Sequence, residues 1–221
     1  MNDIKSFIKN IIKEDIGTGD QTSLSCIDSN VSGEAKLICK ENAILAGVEM
    51  ISMICNYYDN NLKLDIIKKD GEKILKNDTI LIIKGKAHSI LSIERIILNC
   101  LQRMSGIATK TNSLVAMTKK YGTKLLDTRK TTPGIRFMEK WAVKIGGGEN
   151  HRFGLYDAIL IKDNHIDYCK GITNAVQKAC DYVQKNGKIP IIVEVRHKKE
   201  LTDIVNLKPK IDRIILDNFN I

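Results

Sequence analysis

The most informative part of the sequence is residues 125–165, LLDTRKTTPGIRFMEKWAVKIGGGENHRFGLYDAILIKDNH. It sets basic side chains between short apolar runs, where strands would end: Arg129, Lys130, Arg136, Lys140, Lys144, His151, Arg152 and Lys162. In parallel α/β folds the carboxyl ends of the strands carry the functional site. A ring of cations at such ends can hold a small polyanion, so we expect a substrate with several carboxylates or phosphates.

The second half of the chain alternates short apolar segments with helical patterns. Candidate strands lie at residues 124–127, 142–145, 158–161, 189–195 and 213–216, with helices at 173–184 and 198–205. Alternating strands and helices with right-handed crossovers predict a parallel sheet, open or closed into a barrel. A closed barrel normally takes about 200 residues or more. We therefore expect an α/β barrel over residues 111–221 that lacks its last strands.

The first half, residues 1–110, mixes helices with antiparallel-looking strands and predicts an α+β domain. Helices are predicted at residues 4–14 and 48–58, and strands at 34–40, 43–46, 62–67 and 79–85. A long helix follows, with one apolar face and Ser89 as its N-cap; that face comprises Ile90, Ile93, Ile97, Leu101 and Met104.

The composition limits the classes of ligand and partner that the protein could bind. The net charge is +9, from 35 Lys and Arg against 26 Asp and Glu, and 43% of the residues are hydrophobic. No block of five or six basic residues occurs and few aromatics accompany the cations, which argues against a nucleic-acid surface. The six cysteines lack CxxC spacing and indicate reduced, mostly buried thiols. The amino-terminal segment predicts neither a signal peptide nor a membrane span, so we place the protein in the cytoplasm.

Several segments together resemble one family, quinolinate phosphoribosyltransferase, also called nicotinate-nucleotide pyrophosphorylase (carboxylating). The matching segments are EDIGTGDQTS (14–23), ERIILNCLQRMSGIAT (94–109), LDTRKTTPGIRFMEKWAVKIGGGENHRFGLYDAILIKDNHI (126–166), VEV (193–195) and ILDNF (215–219). They extend over nearly the whole chain. A molybdenum-associated relative of the same fold is the nearest alternative.

The resemblance implies an N-terminal α/β sandwich followed by an α/β barrel, in a dimer whose subunits share their active sites. The implied reaction joins quinolinate to phosphoribosyl pyrophosphate (PRPP) and releases nicotinate mononucleotide, pyrophosphate and carbon dioxide. Mg²⁺ would accompany the PRPP. The chain would then be a pentosyltransferase of NAD biosynthesis.

The resemblance also implies a role for each site residue. Carboxylates and phosphates would be held by Thr128, Arg129, Lys130, His151, Arg152 and Lys162. Arg95 would reach into the neighbouring subunit's site. Glu194 and Asp217 would face the ribose hydroxyls and Mg²⁺, and together with Lys130 they are the catalytic candidates. Chemically, Arg offers a carboxylate a rigid fork and Lys offers a point charge. Arg136, Lys140 and Lys144 are expected instead to coat the first barrel helix and its neighbour, although Arg136 is also a candidate to support the site residues.

Two further features bear on the site: a run of three glycines, which has two interpretations, and the surroundings of Glu194. Residues 146–148 are three glycines that could cradle phosphate through backbone N–H groups, or could form a flexible turn that lets Asn150, His151 and Arg152 fold inward. The family usually has further acids beside the glutamate at position 194, whereas this chain has Ile192 and Arg196 two positions away.

Two later strand ends of the family, Ser-Gly-Gly and Gly-Ala, have no counterpart in this sequence. Three interpretations follow: a shortened piece of a complete enzyme, a short protein completed by a separate chain, or a binding protein that holds a carboxylate without turnover. The first is favoured, and it predicts weak or absent activity for this chain alone.

Overall fold

The computed structural model describes residues 2–207 and 209–220, without the side chains of Asn2 and Asp3. The chain forms two compact units, residues 1–151 and residues 152–221. The predicted domain boundary at 110/111 falls inside a long helix of the first unit and stays a prediction.

The first unit combines a three-stranded antiparallel sheet, in the order β1-β5-β3, with a two-stranded pair, β2-β4. Its elements are α1 Asn2–Asp15, α2 Gln21–Cys26, β1 Ser32–Ile38, β2 Ala43–Ile44, α3 Val48–Tyr58, β3 Lys63–Ile66, β4 Lys73–Ile74, β5 Thr79–Lys86, α4 Ala87–Thr118, a 3-10 turn Lys119–Tyr121, and α5 Arg136–Ile145. The short α2 was not predicted; it begins where the Asp20 carboxylate accepts hydrogen bonds from Thr22 N and Ser23 N.

The long helix α4 forms the centre of this unit's core. The five apolar side chains of its predicted face are all buried: Ile90, Ile93, Ile97, Leu101 and Met104. The predicted N-cap is wrong, because Lys86 precedes the helix and Ser89 lies in its first turn. Ser89 Oγ instead donates to Asp59 Oδ2 at 2.7 Å.

Helix α5 corrects a second prediction. Residues 142–145, predicted as a strand, form its last turns. The run AVKI is too short to distinguish the two periods by itself, but Met138 and Ala142 are buried four residues apart, which is helical spacing.

The second unit is a parallel α/β layer. Its elements are β6 Ile159–Ile161, α6 Asp163–Tyr168, α7 Ile172–Asn186, β7 Ile191–Val195, α8 Lys198–Leu207 and β8 Arg213–Leu216. The strands pair in parallel in the order β6-β7-β8. Both predicted helices and these three predicted strands are confirmed, and so is the mixed α/β class. The predicted strand at 124–127 is reduced to one isolated parallel bridge between Leu126 and Glu149, and the barrel itself stays a prediction.

The cysteines are all free thiols. Cys39, Cys55 and Cys100 are buried. Burial raises the pKa of Cys55 to about 12 and that of Cys100 to about 11, which keeps these thiols protonated. Within residues 2–207 and 209–220, no helix has the length and apolarity needed to cross a bilayer.

Candidate functional site

The residues after Asp127 form a tightly turned segment, the cation loop, residues 128–132. Lys130 N donates to Thr128 Oγ1 at 3.0 Å, and Thr131 N donates to Arg129 O at 2.9 Å. Thr128 therefore shapes the loop with its hydroxyl, while the Lys130 side chain is exposed. Arg129 Nε is buried and has no hydrogen-bond partner within residues 2–207 and 209–220. The loop thus contains a guanidinium donor directed away from bulk water.

Helix α5 anchors the cation loop through Glu139. One Glu139 oxygen accepts from Arg103 Nε at 2.9 Å and also from Arg103 Nη2, while the other accepts from Thr132 N at 3.1 Å. Arg103 Nη2 also donates to Thr132 Oγ1 at 3.0 Å. Burial opposes ionisation of Glu139, but these hydrogen bonds outweigh it and lower its pKa. Glu139 is therefore an ionised link between α4, α5 and the loop.

A second buried network holds His151. Asp127 and Lys140 form an ion pair with side chains only 7% and 3% exposed. Asp127 Oδ1 also accepts from His151 N at 2.8 Å, and Lys140 Nζ donates to His151 O at 3.1 Å. With its amide oriented to satisfy both atoms, Asn150 donates to Asp127 Oδ2 at 2.9 Å and to Lys140 O at 3.0 Å. Both backbone groups of His151 are therefore fixed.

This network corrects the prediction for Lys140. The sequence suggested that Lys140, like Arg136 and Lys144, coats a helix, but Lys140 is buried and points to Asp127. Lys144 is exposed, as expected. Arg136 Nε donates to Thr131 Oγ1 at 3.0 Å, so Arg136 supports the cation loop.

The three glycines, residues 146–148, form a turn and do not form a phosphate-binding loop. Their N–H groups are all used inside the turn: Gly146 N donates to Ala142 O, Gly147 N to Lys144 O and Gly148 N to Val143 O. Three occupied N–H groups cannot form a phosphate cradle.

In the second unit, the carboxyl ends of the parallel strands gather a strand-edge group: Lys162, Glu194 and Asp217. Lys162 follows β6 directly, and its Nζ lies 3.4 Å from Glu194 Oε2. Glu194 pairs in register with Ile215, and Asp217 directly follows the end of β8, so both carboxylates lie at the carboxyl end of the sheet. Asp217 N donates to Val195 O at 3.0 Å, which fixes the end of β8 against β7. The predicted acid pair and Lys162 are thus brought to one edge.

Arg152 lies in the turn before β6. Its Nη1 donates to Ala158 O at 3.0 Å. The turn is closed by the Asp157 carboxylate, which accepts from Phe153 N at 2.6 Å and Gly154 N at 2.9 Å. Burial raises the pKa of Asp157, but these hydrogen bonds outweigh it, and the net shift is downward. The guanidinium is therefore held close to the turn.

Arg95 lies elsewhere, exposed on α4. Within the part of the chain that the structure describes, no ion pair joins it to Glu94. Other residues of the same helix line a groove of about 620 Å³ against β1 and β2, with lining positions Leu98, Gln102, Gly106, Thr109 and Ser113. Spacings of three, four and seven residues place Arg95 on this stripe of the helix.

Two oxygen donors suit a hard cation. Glu194 and Asp217 both lie at the carboxyl end of the sheet, and Mg²⁺ is commonly bound by one or two carboxylates together with substrate phosphates and water. A cluster of three or more His, Cys, Asp or Glu that could hold a metal by itself does not occur in residues 2–207 and 209–220. The residues fit a cation carried by a phosphate ligand better than a closed protein site.

The fold and these groups define an α/β protein with cationic and acidic side chains at the ends of its parallel strands. A family model for the quinolinate phosphoribosyl transferase C-terminal domain matches residues 107–221, and its N-terminal counterpart matches residues 20–105. The chain therefore belongs to the quinolinate phosphoribosyltransferase family, which confirms the resemblance.

Individual relatives agree with this membership. A chloroplastic nicotinate-nucleotide pyrophosphorylase (carboxylating) of Arabidopsis thaliana is 41% identical over 98% of this chain, which spans 63% of that protein. A probable nicotinate-nucleotide pyrophosphorylase (carboxylating) of Bacillus subtilis (strain 168) is 42% identical, with 97% of this chain and 73% of that protein covered. The solved nicotinate-nucleotide pyrophosphorylase of Francisella tularensis is 41% identical, with a TM-score of 0.90 over 99% of this chain and 76% of that one.

Sequence reasoning missed the residues that hold the site together: Arg103, Asp127, Glu139 and Asn150. Three of them lie next to, or a few residues from, cations that the sequence singled out. A signal was present, because Asp127 and Glu139 are acids inside a strongly basic stretch and need partners if buried.

Proposed function

We propose that this chain catalyses the transfer of the phosphoribosyl group from PRPP to quinolinate, followed by decarboxylation to nicotinate mononucleotide. The observation that supports this most directly is the strand-edge group, which places a cation and two acids on one edge of a parallel sheet. Membership of the family supplies the reaction, and the charges of the site residues suit its anionic reactants. We place the enzyme in the cytoplasm.

The cations bind and orient the two anionic reactants. Arg129, Lys130 and Lys162 neutralise carboxylates and phosphates, so that two negatively charged molecules can approach each other. His151 is held rigidly by its backbone and presents its ring to a carboxylate. Arg152, fixed at Ala158 O, offers a further guanidinium. Orientation of this kind replaces part of the entropy of bringing the reactants together.

The acids stabilise the charge that develops during transfer. As the bond from the ribose to pyrophosphate lengthens, positive charge builds up on the sugar ring, and Glu194 and Asp217 stabilise it. The quinolinate nitrogen attacks the anomeric carbon as pyrophosphate leaves, and the nitrogen becomes positive. The neighbouring carboxylate then leaves as carbon dioxide; its electron pair stays on the ring carbon, which takes up a proton from water. No side chain of the protein forms a covalent bond with substrate.

Glu194 and Asp217 would also hold Mg²⁺ when PRPP is bound. The ion supplies charge neutralisation of the pyrophosphate leaving group. Lys162 Nζ, 3.4 Å from Glu194 Oε2, would hold that carboxylate at the strand edge until the ion binds.

We further propose a homodimer whose subunits share their active sites, with Arg95 acting in the neighbouring subunit. Arg95 is exposed on the stripe of α4 that lines the groove. The groove floor is apolar, with Leu45, Ile74 and Leu101 buried beneath it. A second copy seated there would bury apolar surface and bring Arg95 to that copy.

The proposed function is tested with the purified chain, quinolinate, PRPP and Mg²⁺, by following nicotinate mononucleotide. We expect only weak turnover, as the shortened-enzyme interpretation predicts for this chain alone, and we expect its loss in Glu194→Gln and Asp217→Asn. Arg213→Gln, an exposed position at the amino end of β8, is the matched control and should leave turnover unchanged. Quinolinate binding measured by calorimetry without any turnover would support the carboxylate-binding alternative and contradict the enzyme.

A further inference from the structure

Arg196 follows β7 and makes an unusually complete set of contacts. Glu200 accepts from Arg196 N at 2.7 Å, from Nε at 3.0 Å and from Nη2 at 2.6 Å. The remaining terminal nitrogen, Nη1, donates to Asp167 Oδ1 at 3.0 Å and Oδ2 at 3.3 Å. One guanidinium therefore joins two carboxylates, and we call this set the arginine clamp: Asp167, Arg196 and Glu200.

The clamp links the two segments that follow the strand-edge group. Asp167 lies on α6, which begins directly after Lys162. Glu200 lies in the first turn of α8, the helix that follows β7 and Glu194. Lys162 N donates to His165 Nδ1 at 3.0 Å, so α6 and the end of β6 move together. Displacement of α6 relative to α8 would separate Lys162 from Glu194.

The clamp also removes a competing charge from Glu194. Alternate residues of a strand point to the same face, so an arginine two positions after Glu194 would compete with Lys162 if the strand continued. The strand ends at Val195, and the Arg196 guanidinium turns to Glu200 and Asp167. Those hydrogen bonds raise the pKa of Arg196. Glu200 is 5% exposed; its burial raises the pKa, but the Arg196 contacts outweigh this and lower it.

We propose that Arg196 is a positioning residue, which holds Lys162 and Glu194 in register at the strand edge by clamping α6 to α8. It touches neither reactant and acts through the two segments that carry those side chains. The kinetic part of this inference rests on the proposed function, whereas the structural part does not.

Two single variants break the same link from opposite sides. Arg196→Lys retains the charge beside Glu200 but cannot bridge to Asp167 with a planar fork. Asp167→Asn removes the charge from the other end. Arg213→Lys is the matched control, since Arg213 is an exposed arginine of the same sheet and lies at the amino end of β8, away from the carboxyl ends of the strands.

The first readout is amide hydrogen exchange at Lys162 and Ile166, measured by NMR without any substrate. Ile166 N donates to Lys162 O at 3.0 Å, so both amides report on the junction of β6 and α6. We expect exchange to become about tenfold faster in either single variant, because local opening is less opposed. The Val193 amide, in the sheet centre, should keep its rate.

The second readout is the split between kcat and KM at a temperature well below unfolding. Misplacement of Glu194 should lower kcat by about tenfold or more, with a smaller change in KM. The double variant should be no worse than the poorer single variant, since both remove one link. A role in stability alone would lower the melting temperature and leave kcat unchanged.

The outcomes separate the two proposals. Unchanged amide exchange in both single variants, or losses that add in the double variant, would overturn the clamp. If the unsubstituted chain shows no turnover, the proposed function fails, and the exchange rates still decide whether Arg196 positions Lys162.

Discussion

At the scale of single residues, the buried ion pair of Asp127 with Lys140, which holds His151, carries a large desolvation free energy. Burying two charges is favourable only if each finds its partner and further hydrogen bonds. Here Asp127 also accepts from His151 N, and Lys140 also donates to His151 O. The pair therefore works less as a source of stability than as a fixed frame for the His151 backbone.

Removal of one member should be severe. We expect Lys140→Met to lower the free energy of unfolding by about 3–5 kcal/mol, because it leaves the buried Asp127 carboxylate unpaired. Urea denaturation measures this. Lys144→Met, an exposed lysine on the same helix, is the control and should change stability by about 0.5 kcal/mol or less. Equal effects of the two substitutions would contradict the assigned pairing.

Glu139 should make stability depend on pH. Its folded-state pKa lies below the ordinary value of 4.5, so ionised Glu139 stabilises the fold above that value. The contribution disappears as pH falls through the lowered folded-state pKa. Other acids behave similarly, so the quantity to measure is the difference in unfolding free energy between the unsubstituted chain and Glu139→Gln. That difference should be largest near about pH 7 and should shrink below the ordinary pKa of the glutamate; a difference independent of pH would contradict this.

The sequence predicts candidate site cations from residue type, and their roles stay a prediction, but it does not predict which side chains pair with them. Arg129, Lys130 and Lys162 were identified because they follow apolar runs. Glu139 and Arg103 are separated by a helix and a loop, and only packing of α4 on α5 brings them together. Sequence periodicity has no information on such long-range pairs.

At the scale of elements, the contact of α4 with α5 depends on a glycine. A Cβ at Gly146 would lie 2.5 Å from Ala108 O and 2.8 Å from Thr111 Cβ. Gly146 has a negative φ, −71°, with ψ −1°, which residues with a side chain also adopt, so the requirement is one of space and not of conformation. The turn that leads to His151 is therefore set by how closely two helices approach.

Substitution at this glycine tests that contact. We expect Gly146→Ala to lower the unfolding free energy by about 1–3 kcal/mol, because backbone must shift to admit the methyl group. Gly106→Ala is the matched control: Gly106 is exposed on α4 with open space around its Cβ position. That alanine should stabilise the helix by about 0.5–1 kcal/mol. Thermal and urea unfolding of both variants measure these changes. The two changes in unfolding free energy must have opposite signs, and a loss of stability in both variants, or in neither, would contradict the proposed contact.

Elements were predictable where one period is long or strongly apolar. The bounds of α3 and β8 agree with the sequence prediction at both ends. Prediction failed at residues 142–145, where four residues fit either period and the outcome depends on packing against α4. It failed again at 124–127, where the described residues form one isolated bridge, Leu126 with Glu149, in place of a strand.

At the scale of the whole molecule, the groove beside α4 is the feature that a monomer leaves open. Its floor is apolar and its helix wall includes small residues, Gly106 and Ser113 among them. Small residues on the wall leave room for side chains of a second copy, as the proposed homodimer requires. Arg95 lies on the same stripe, so a partner in the groove would meet its guanidinium.

A shared site makes a quantitative prediction for mixed subunits. If Arg95 acts in trans, then Arg95→Ala and Arg129→Ala chains are each inactive alone. After unfolding and refolding together, random pairing makes about half of the dimers mixed, and each mixed dimer has one intact site. The mixture should therefore recover about a quarter of the unsubstituted activity. A mixture of Arg129→Ala with Arg129→Gln chains is the control and should recover none. If Arg95 instead acts within its own subunit, one subunit of each mixed dimer lacks Arg95 and the other lacks Arg129, so activity would stay at the level of the separate variants.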